Sequence, residues 1–174
     1  MGVDKVIHIV KNKNNIKDSE ITDTVIRVKA LIRNSKNDIL LGYSHCEYQF
    51  PGGHVKDNEG LLLALKRELK EETGLDYKVT NLTPFACLET YYKDYPVKGQ
   101  NLKAIIYYYE ILDDRVPSLK DTNYTMEELD GNFKLRYIPS DIVLDVLKDN
   151  MNMYGDVAGV AQEMIELFEK YLNY

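Results

Sequence analysis

The chain has 174 residues, 44% hydrophobic and 29% charged, and its 22 basic and 28 acidic side chains leave a formal net charge of −6. That length and balance fit one soluble domain over residues 1–174 with ample material for a core. The acidic balance argues against a general nucleic-acid surface, and no apolar run approaches the roughly 18 residues that span a membrane.

The start, MGVDKVIHIVKNKNN, turns polar too soon for a signal peptide, and Val6 stands where a myristoylation signal needs Ser or Thr. The two cysteines, Cys46 and Cys87, have no C-x-x-C spacing and read as free thiols of a reducing compartment, so a cytoplasmic location is expected. Val6 to Val10 can form a short strand, followed by a polar link rich in Asn and Lys. Ile26, Val28, Ala30 and Ile32 alternate with Arg27 and Lys29, the pattern of a half-buried strand. The turn cluster Asn34 to Asp38 leads into a hairpin partner, Ile39 to Tyr43.

Leu61 to about Thr73 reads as a helix with an apolar stripe at Leu62, Leu65 and Leu69. Gly60 is its expected N-cap. Gly74 fits the left-handed closing position, after which Leu75 can fold back toward Leu69. Tyr77 to Tyr92 and Leu102 to Leu112 are strand-rich, with a loop around Pro96 and Gly99 between them. Asp113 to Gly131 is a long polar segment carrying Asp121, Glu127, Glu128 and Asp130, and such loops are often functional. Phe133 to Ile138 reads as a further strand. Ser140 can cap a helix carrying Ile142, Val143, Val146 and Leu147, and Val160, Met164, Leu167, Phe168 and Tyr171 line a terminal helix. Strands with helices interleaved make an α/β layered domain.

The charges of the first helix carry the chemistry. Glu68 and Glu72 lie one turn apart with Glu71 beside them, so three carboxylates share a patch flanking the leucine stripe. Like charges at this spacing cost roughly 0.2–0.5 kcal/mol on an exposed helix, and more beside apolar neighbours. Arg67 pairs with Glu71 at i,i+4, but one arginine cannot neutralise three acids. A divalent cation is the natural counter-charge. The helix offers only oxygen ligands, which favours Mg²⁺ or Mn²⁺ over Zn²⁺.

Gly53, Glu59, Arg67, Glu68, Leu69, Glu71, Glu72, Gly74 and Leu75 fill G-x5-E-x7-R-E-U-x-E-E-x-G-U, with U aliphatic, at every specified place. Tyr48-Gln49-Phe50-Pro51-Gly52 supplies an aromatic-x-Phe-Pro-Gly approach. This constellation resembles the Nudix box, and the likeness covers roughly residues 21–150. Asn58 stands where many relatives have Gly, and Asn tolerates the left-handed conformation better than most residues.

The resemblance implies a Nudix-like α/β/α sandwich with a mixed central sheet. It also implies hydrolysis of a pyrophosphate bond in a nucleoside diphosphate linked to another group. The expected metal ligands are Glu68, Glu71 and Glu72, assisted by the Gly52 carbonyl. Glu59 is expected to support the motif through Arg67. The catalytic candidates are Glu68, Arg67 and Glu128: Glu68 is the first choice of base, and Glu127 or Glu128 of the polar segment is the second.

His54 can face a phosphate, and Tyr43, Tyr48, Tyr91, Tyr92 and Tyr107 to Tyr109 offer stacking faces for a base. The expected partner is a small-molecule nucleotide, foremost a nucleoside triphosphate, oxidised forms included, with neither nucleic acid nor membrane as partner. The competing readings are hydrolysis of ADP-ribose or nucleotide sugars, a non-catalytic nucleotide sensor, and an isopentenyl diphosphate isomerase. No motif around either cysteine supports the isomerase. The oligomeric state is left open, a homodimer included.

Overall fold

A computed structural model describes residues 6–156 and 159–172 of the chain. Among these, eight strands form a mixed sheet: β1 (Ile7–Lys11), β2 (Asp23–Arg33), β3 (Asp38–Ser44), β4 (Glu47–Gln49), β5 (Gly52–His54), β6 (Ala86–Tyr92), β7 (Leu102–Leu112) and β8 (Lys134–Pro139). The main path runs β1-β6-β7-β2-β3-β4, with β5 on β2 and β8 on β3. β1 runs parallel to β6 and β2 parallel to β7, and the other pairings are antiparallel. The helices are α1 (Leu61–Thr73), the short α2 (Met126–Asp130), α3 (Val143–Tyr154) and α4 (Val160–Leu172).

The sheet is covered on both faces, which gives the expected sandwich. On one side Ala64, Leu65 and Leu69 of α1 pack on Val28, Ala30, Ile32 and Leu40. On the other side Leu147 of α3 and Met164, Ile165 and Phe168 of α4 pack on Leu31, Leu41, Ile106 and Tyr108. Phe50 stacks on Phe168 with ring centroids 5.5 Å apart and ties the chain ahead of β5 to α4. Burying one such side chain contributes about 1.5–3 kcal/mol. No helix among the described residues is long and apolar enough to cross a membrane.

Four local readings change. β2 is not half-wet: Lys29 is only 5% exposed, because α4 covers the face that alternation assigned to solvent. Tyr77 and Val79 belong to no strand. They pack against α1 from irregular backbone, and the strand proper begins at Ala86. Ser140 does not cap α3; its hydroxyl accepts a hydrogen bond from the Asn37 side chain, and Ile142 occupies the capping position without a side-chain bond. The polar segment from Asp113 also contains a helix, α2, whose first turn is closed by Thr125 and Glu128. The Thr125 hydroxyl accepts from the Glu128 N–H, and the Glu128 carboxylate accepts from the Thr125 N–H.

Candidate active site

α1 starts at Gly60 without a side-chain cap and ends at Gly74, whose φ of 73° supplies the left-handed closing residue. The turn before it passes through Asn58 at φ 61°, so asparagine does accept the conformation. Within α1 the acidic ridge is not simply beside the core stripe. Glu72 follows Leu69 by three residues and is itself buried, at 4% exposure. Glu68 is 15% exposed at its side chain and Glu71 28%.

β5 brings the glycines against this ridge. Gly52 pairs with Lys29 and Gly53 with Val28. The Gly52 N–H donates to Glu72 Oε2 at 2.9 Å. A Cβ on Gly52, whose φ is 132°, would lie 2.1 Å from the Val28 carbonyl oxygen. A Cβ on Gly53 would lie 2.6 Å from the Glu68 carboxyl. Close approach to backbone therefore requires glycine at Gly52, whereas at Gly53 a side chain would displace the Glu68 carboxylate.

Arg67 organises the outer side. Its Nε and Nη2 each donate at 2.8 Å to the two oxygens of Glu59, a bidentate pair. Nη1 reaches Glu68 at 2.7 Å and Glu71 at 3.3 Å, and Nη2 also donates to the His54 carbonyl at 2.9 Å. The main partner of Arg67 is thus Glu59 rather than Glu71. These bonds to Arg67 hold the Glu59 carboxyl at about 2, below its ordinary 4.5.

A cleft of about 520 Å³ opens over this junction, lined by Gly52, Gly53, Glu68, Glu72 and Glu128, with Arg27, Lys29, His54, Glu47 and Gln49 among the remaining walls. Burial pushes the Glu72 carboxyl well above the ordinary carboxylate range. Its bond from Gly52 opposes that, Glu128 and Glu68 add to it, and Lys29 opposes it. Burial likewise raises Glu68, against the pull of Arg67 and with a further push from Glu71 and Glu128. The arrangement is an all-oxygen donor set with more negative charge than its cations offset, and a buried carboxylate that takes one backbone donor. A hard divalent cation fits it.

Gly52, Glu68, Glu72 and Glu128 meet at the cleft, whereas Glu71 and Arg67 stand behind it, on the outer side of the ridge. The Glu127 side chain lies outside the described residues. None of the candidate tyrosines lines the cleft. Tyr108 and Tyr109 are buried on opposite faces of the sheet, and Tyr43 packs on Tyr48 with centroids 4.7 Å apart. His54 does line the cleft, where its Nε2 accepts from Arg27 Nε at 3.1 Å.

Sequence reasoning missed Arg27 and Lys29 as cleft residues because it placed them on a wet face. Lys29 Nζ lies 3.9 Å from Glu163 of α4, whose carboxylate also accepts from the Tyr108 hydroxyl. The signal in the sequence was Leu31, an apolar residue on the same face as both cations.

The NUDIX domain family matches residues 23–141. The 8-oxo-dGTP diphosphatase of Buchnera aphidicola subsp. Schizaphis graminum is 50% identical over 46 residues, 26% of this chain. That match spans about a third, 34%, of the relative's own length. The E. coli ORF135 protein superposes with a TM-score of 0.55 at 18% identity, covering 91% of this chain and 94% of the other. The MutT protein from Bacillus halodurans gives 0.53 at 20% identity, over 70% and 72%. At such identities the two structures bear on the fold alone.

Proposed function

The chain belongs to the Nudix family, and from that premise we propose a metal-dependent hydrolase that cleaves the pyrophosphate bond of a nucleoside diphosphate linked to a further group. The proposed substrate is a nucleoside triphosphate, oxidised forms included, and the product is a nucleoside monophosphate. The observation that carries this reading is the convergence of Glu68, buried Glu72 and Glu128 on one cleft whose walls also present Arg27 and Lys29. The triphosphate choice is supported by the 46-residue likeness to an 8-oxo-dGTP diphosphatase.

Glu68 and Glu72 would hold Mg²⁺ or Mn²⁺ with help from the Gly52 carbonyl, Glu71 would join them by turning its side chain from Arg67 toward the cleft, and the ion would supply charge neutralisation at phosphate and a more acidic water. Arg67, bonded to Glu68 at 2.7 Å, sets the direction of that carboxylate. Glu68 takes the proton of the water whose oxygen attacks phosphorus, the P–O bond bridging the α and β phosphates breaks, and nucleoside monophosphate and pyrophosphate separate, the leaving one carrying the bridging oxygen. Arg27 and Lys29 face the anionic substrate and offset its repulsion from an acidic chain. Glu128, held by the α2 cap, is the second candidate for the proton.

The test is turnover with Mg²⁺ on canonical and oxidised triphosphates, ADP-ribose, a dinucleoside polyphosphate and a nucleotide sugar, reading monophosphate and pyrophosphate release. Triphosphates should turn over fastest, and Glu68→Gln should lower the rate by about 10²–10⁴-fold with unchanged circular dichroism. Near-normal turnover in that variant would move the base to Glu127 or Glu128. Binding without turnover across the whole panel would favour a sensor instead.

A further inference from the structure

β1 joins the sheet parallel to β6, in a register that sets His8 beside Cys87. Glu89 follows two residues along β6, so alternation places it on the same face as Cys87. The opposite face of these strands, with Ile7, Ile9, Ala86 and Leu88, is buried in the core beneath α4. α1 packs farther across the sheet, on Val28, Ala30 and Ile32 of β2, and leaves this wing open. The His8 side chain is 54% exposed, and Cys87 and Glu89 are half-buried. A ring nitrogen, a thiol sulfur and a carboxylate oxygen here lie within 4.8 Å of one another.

We propose that His8, Cys87 and Glu89 form a second metal site, for Zn²⁺ or a similar borderline transition ion, separate from the carboxylates of α1. The donor chemistry separates the two. Imidazole and thiolate suit zinc, whereas the carboxylates of α1 suit magnesium or manganese. Three protein ligands leave a fourth position for water, and the exposure of His8 gives solvent access. Zinc–ligand bonds of about 2.0–2.3 Å imply ligand separations of roughly 3.3–3.8 Å, so the three side chains close in by modest rotations.

The surroundings support the site. Glu89 Oε2 is held by Lys103 Nζ at 2.7 Å and by the Tyr91 hydroxyl at 3.4 Å, which turns Oε1 toward His8 at 2.8 Å. Such second contacts orient metal-binding carboxylates. Binding replaces the His8–Glu89 hydrogen bond, and the Cys87 proton leaves to solvent.

The test uses the full chain stripped of metal with a chelator, then titrated with Co²⁺ under saturating Mg²⁺, which keeps the hard site filled. One cobalt per chain should give a thiolate-to-cobalt charge-transfer band in the near ultraviolet, bleached by Zn²⁺. Cys87→Ser should abolish the band, and His8→Ala and Glu89→Gln should each weaken binding by roughly tenfold or more. Cys46→Ser, which removes the other thiol, should retain it. Absence of the band in the unaltered chain would overturn the proposal and leave His8, Glu89 and Lys103 as an ion-pair network. Survival of the band in Cys87→Ser would overturn it equally. Circular dichroism on each variant identifies loss of fold, and the unaltered chain decides the matter without any variant.

Discussion

Arg67 divides its donors among Glu59, Glu68, Glu71 and the His54 carbonyl, and that division sets where the neighbouring carboxylates stand. Glu59 has no place in the cleft, yet its carboxyl is held at about 2 against an ordinary 4.5, chiefly by Arg67. A depressed carboxyl binds its proton less readily folded than unfolded. Its stabilisation is therefore complete above about pH 4.5 and is lost as the pH falls toward 2. Glu59→Gln is expected to cost about 1.5–3 kcal/mol at neutral pH, measured by urea unfolding, and to flatten the pH dependence across that window. An unaltered acid limb would show that the pair contributes nothing there. Gly53 makes the opposite kind of prediction. The nearest atoms to a Cβ there are the carboxyl end of the Glu68 side chain, at 2.6 Å, and no backbone. Gly53→Ala should leave stability within about 1 kcal/mol while displacing the carboxylate and lowering turnover at least roughly tenfold. Loss of stability without loss of turnover would contradict the contact.

At the scale of elements, α1 does three jobs with thirteen residues: Leu65 and Leu69 anchor it, Glu68 and Glu72 face the cleft, and its C-terminus receives the segment that leads to α2. That segment meets the helix through two backbone bonds, Ser118 N–H to the Thr73 carbonyl and Asn123 N–H to the Glu71 carbonyl, both at 2.8 Å. Those bonds satisfy carbonyls at the helix end. Gly74 sits under the junction, and a Cβ there would lie 2.1 Å from the Ser118 oxygen, on top of the strain of φ 73°. Gly74→Ala should cost about 1–3 kcal/mol and shift the segment carrying Glu128. Gly60→Ala, where a Cβ meets nothing within 4 Å, is the control. Equal melting temperatures for the two variants would argue against the docking. The helix and its closing glycine were legible because period, cap and stop are local signals. The Ser140 cap was misread because Asn37, 103 positions away, competes for that hydroxyl.

For the molecule as a whole, the cleft gathers carboxylates in a chain that already carries −6. Folding must hold Glu72 and Glu68 together against their own repulsion, and a cation that binds only the folded chain shifts that balance. Mg²⁺ at a hundred times its dissociation constant should therefore raise stability by about 2.7 kcal/mol, a melting shift of about 5–10 °C for a chain of this size. The shift should be absent with Na⁺ at equal ionic strength and should shrink in Glu72→Gln. An equal shift in that variant would place the binding elsewhere. α4 matters at this scale too: Glu163 approaches Lys29, and Val160 reaches the cleft wall, so the terminal helix belongs to the site as well as to the core.

The residues from Gly53 to Leu75 determined by themselves a helix, its ends, the acidic ridge and the family, because each depends on neighbours within two turns. The strands and helices on either side of them made the α/β class readable, since alternation and helical period are written along the chain. What only the tertiary structure decided was which of these groups lose water. Lys29 looked wet until α4, more than a hundred residues later, closed over it. Glu72 was one of three like acids flanking the leucine stripe until β5 laid the Gly52 N–H against it. Burial is set by what packs from elsewhere in the chain, and burial fixes the charge balance of the cleft.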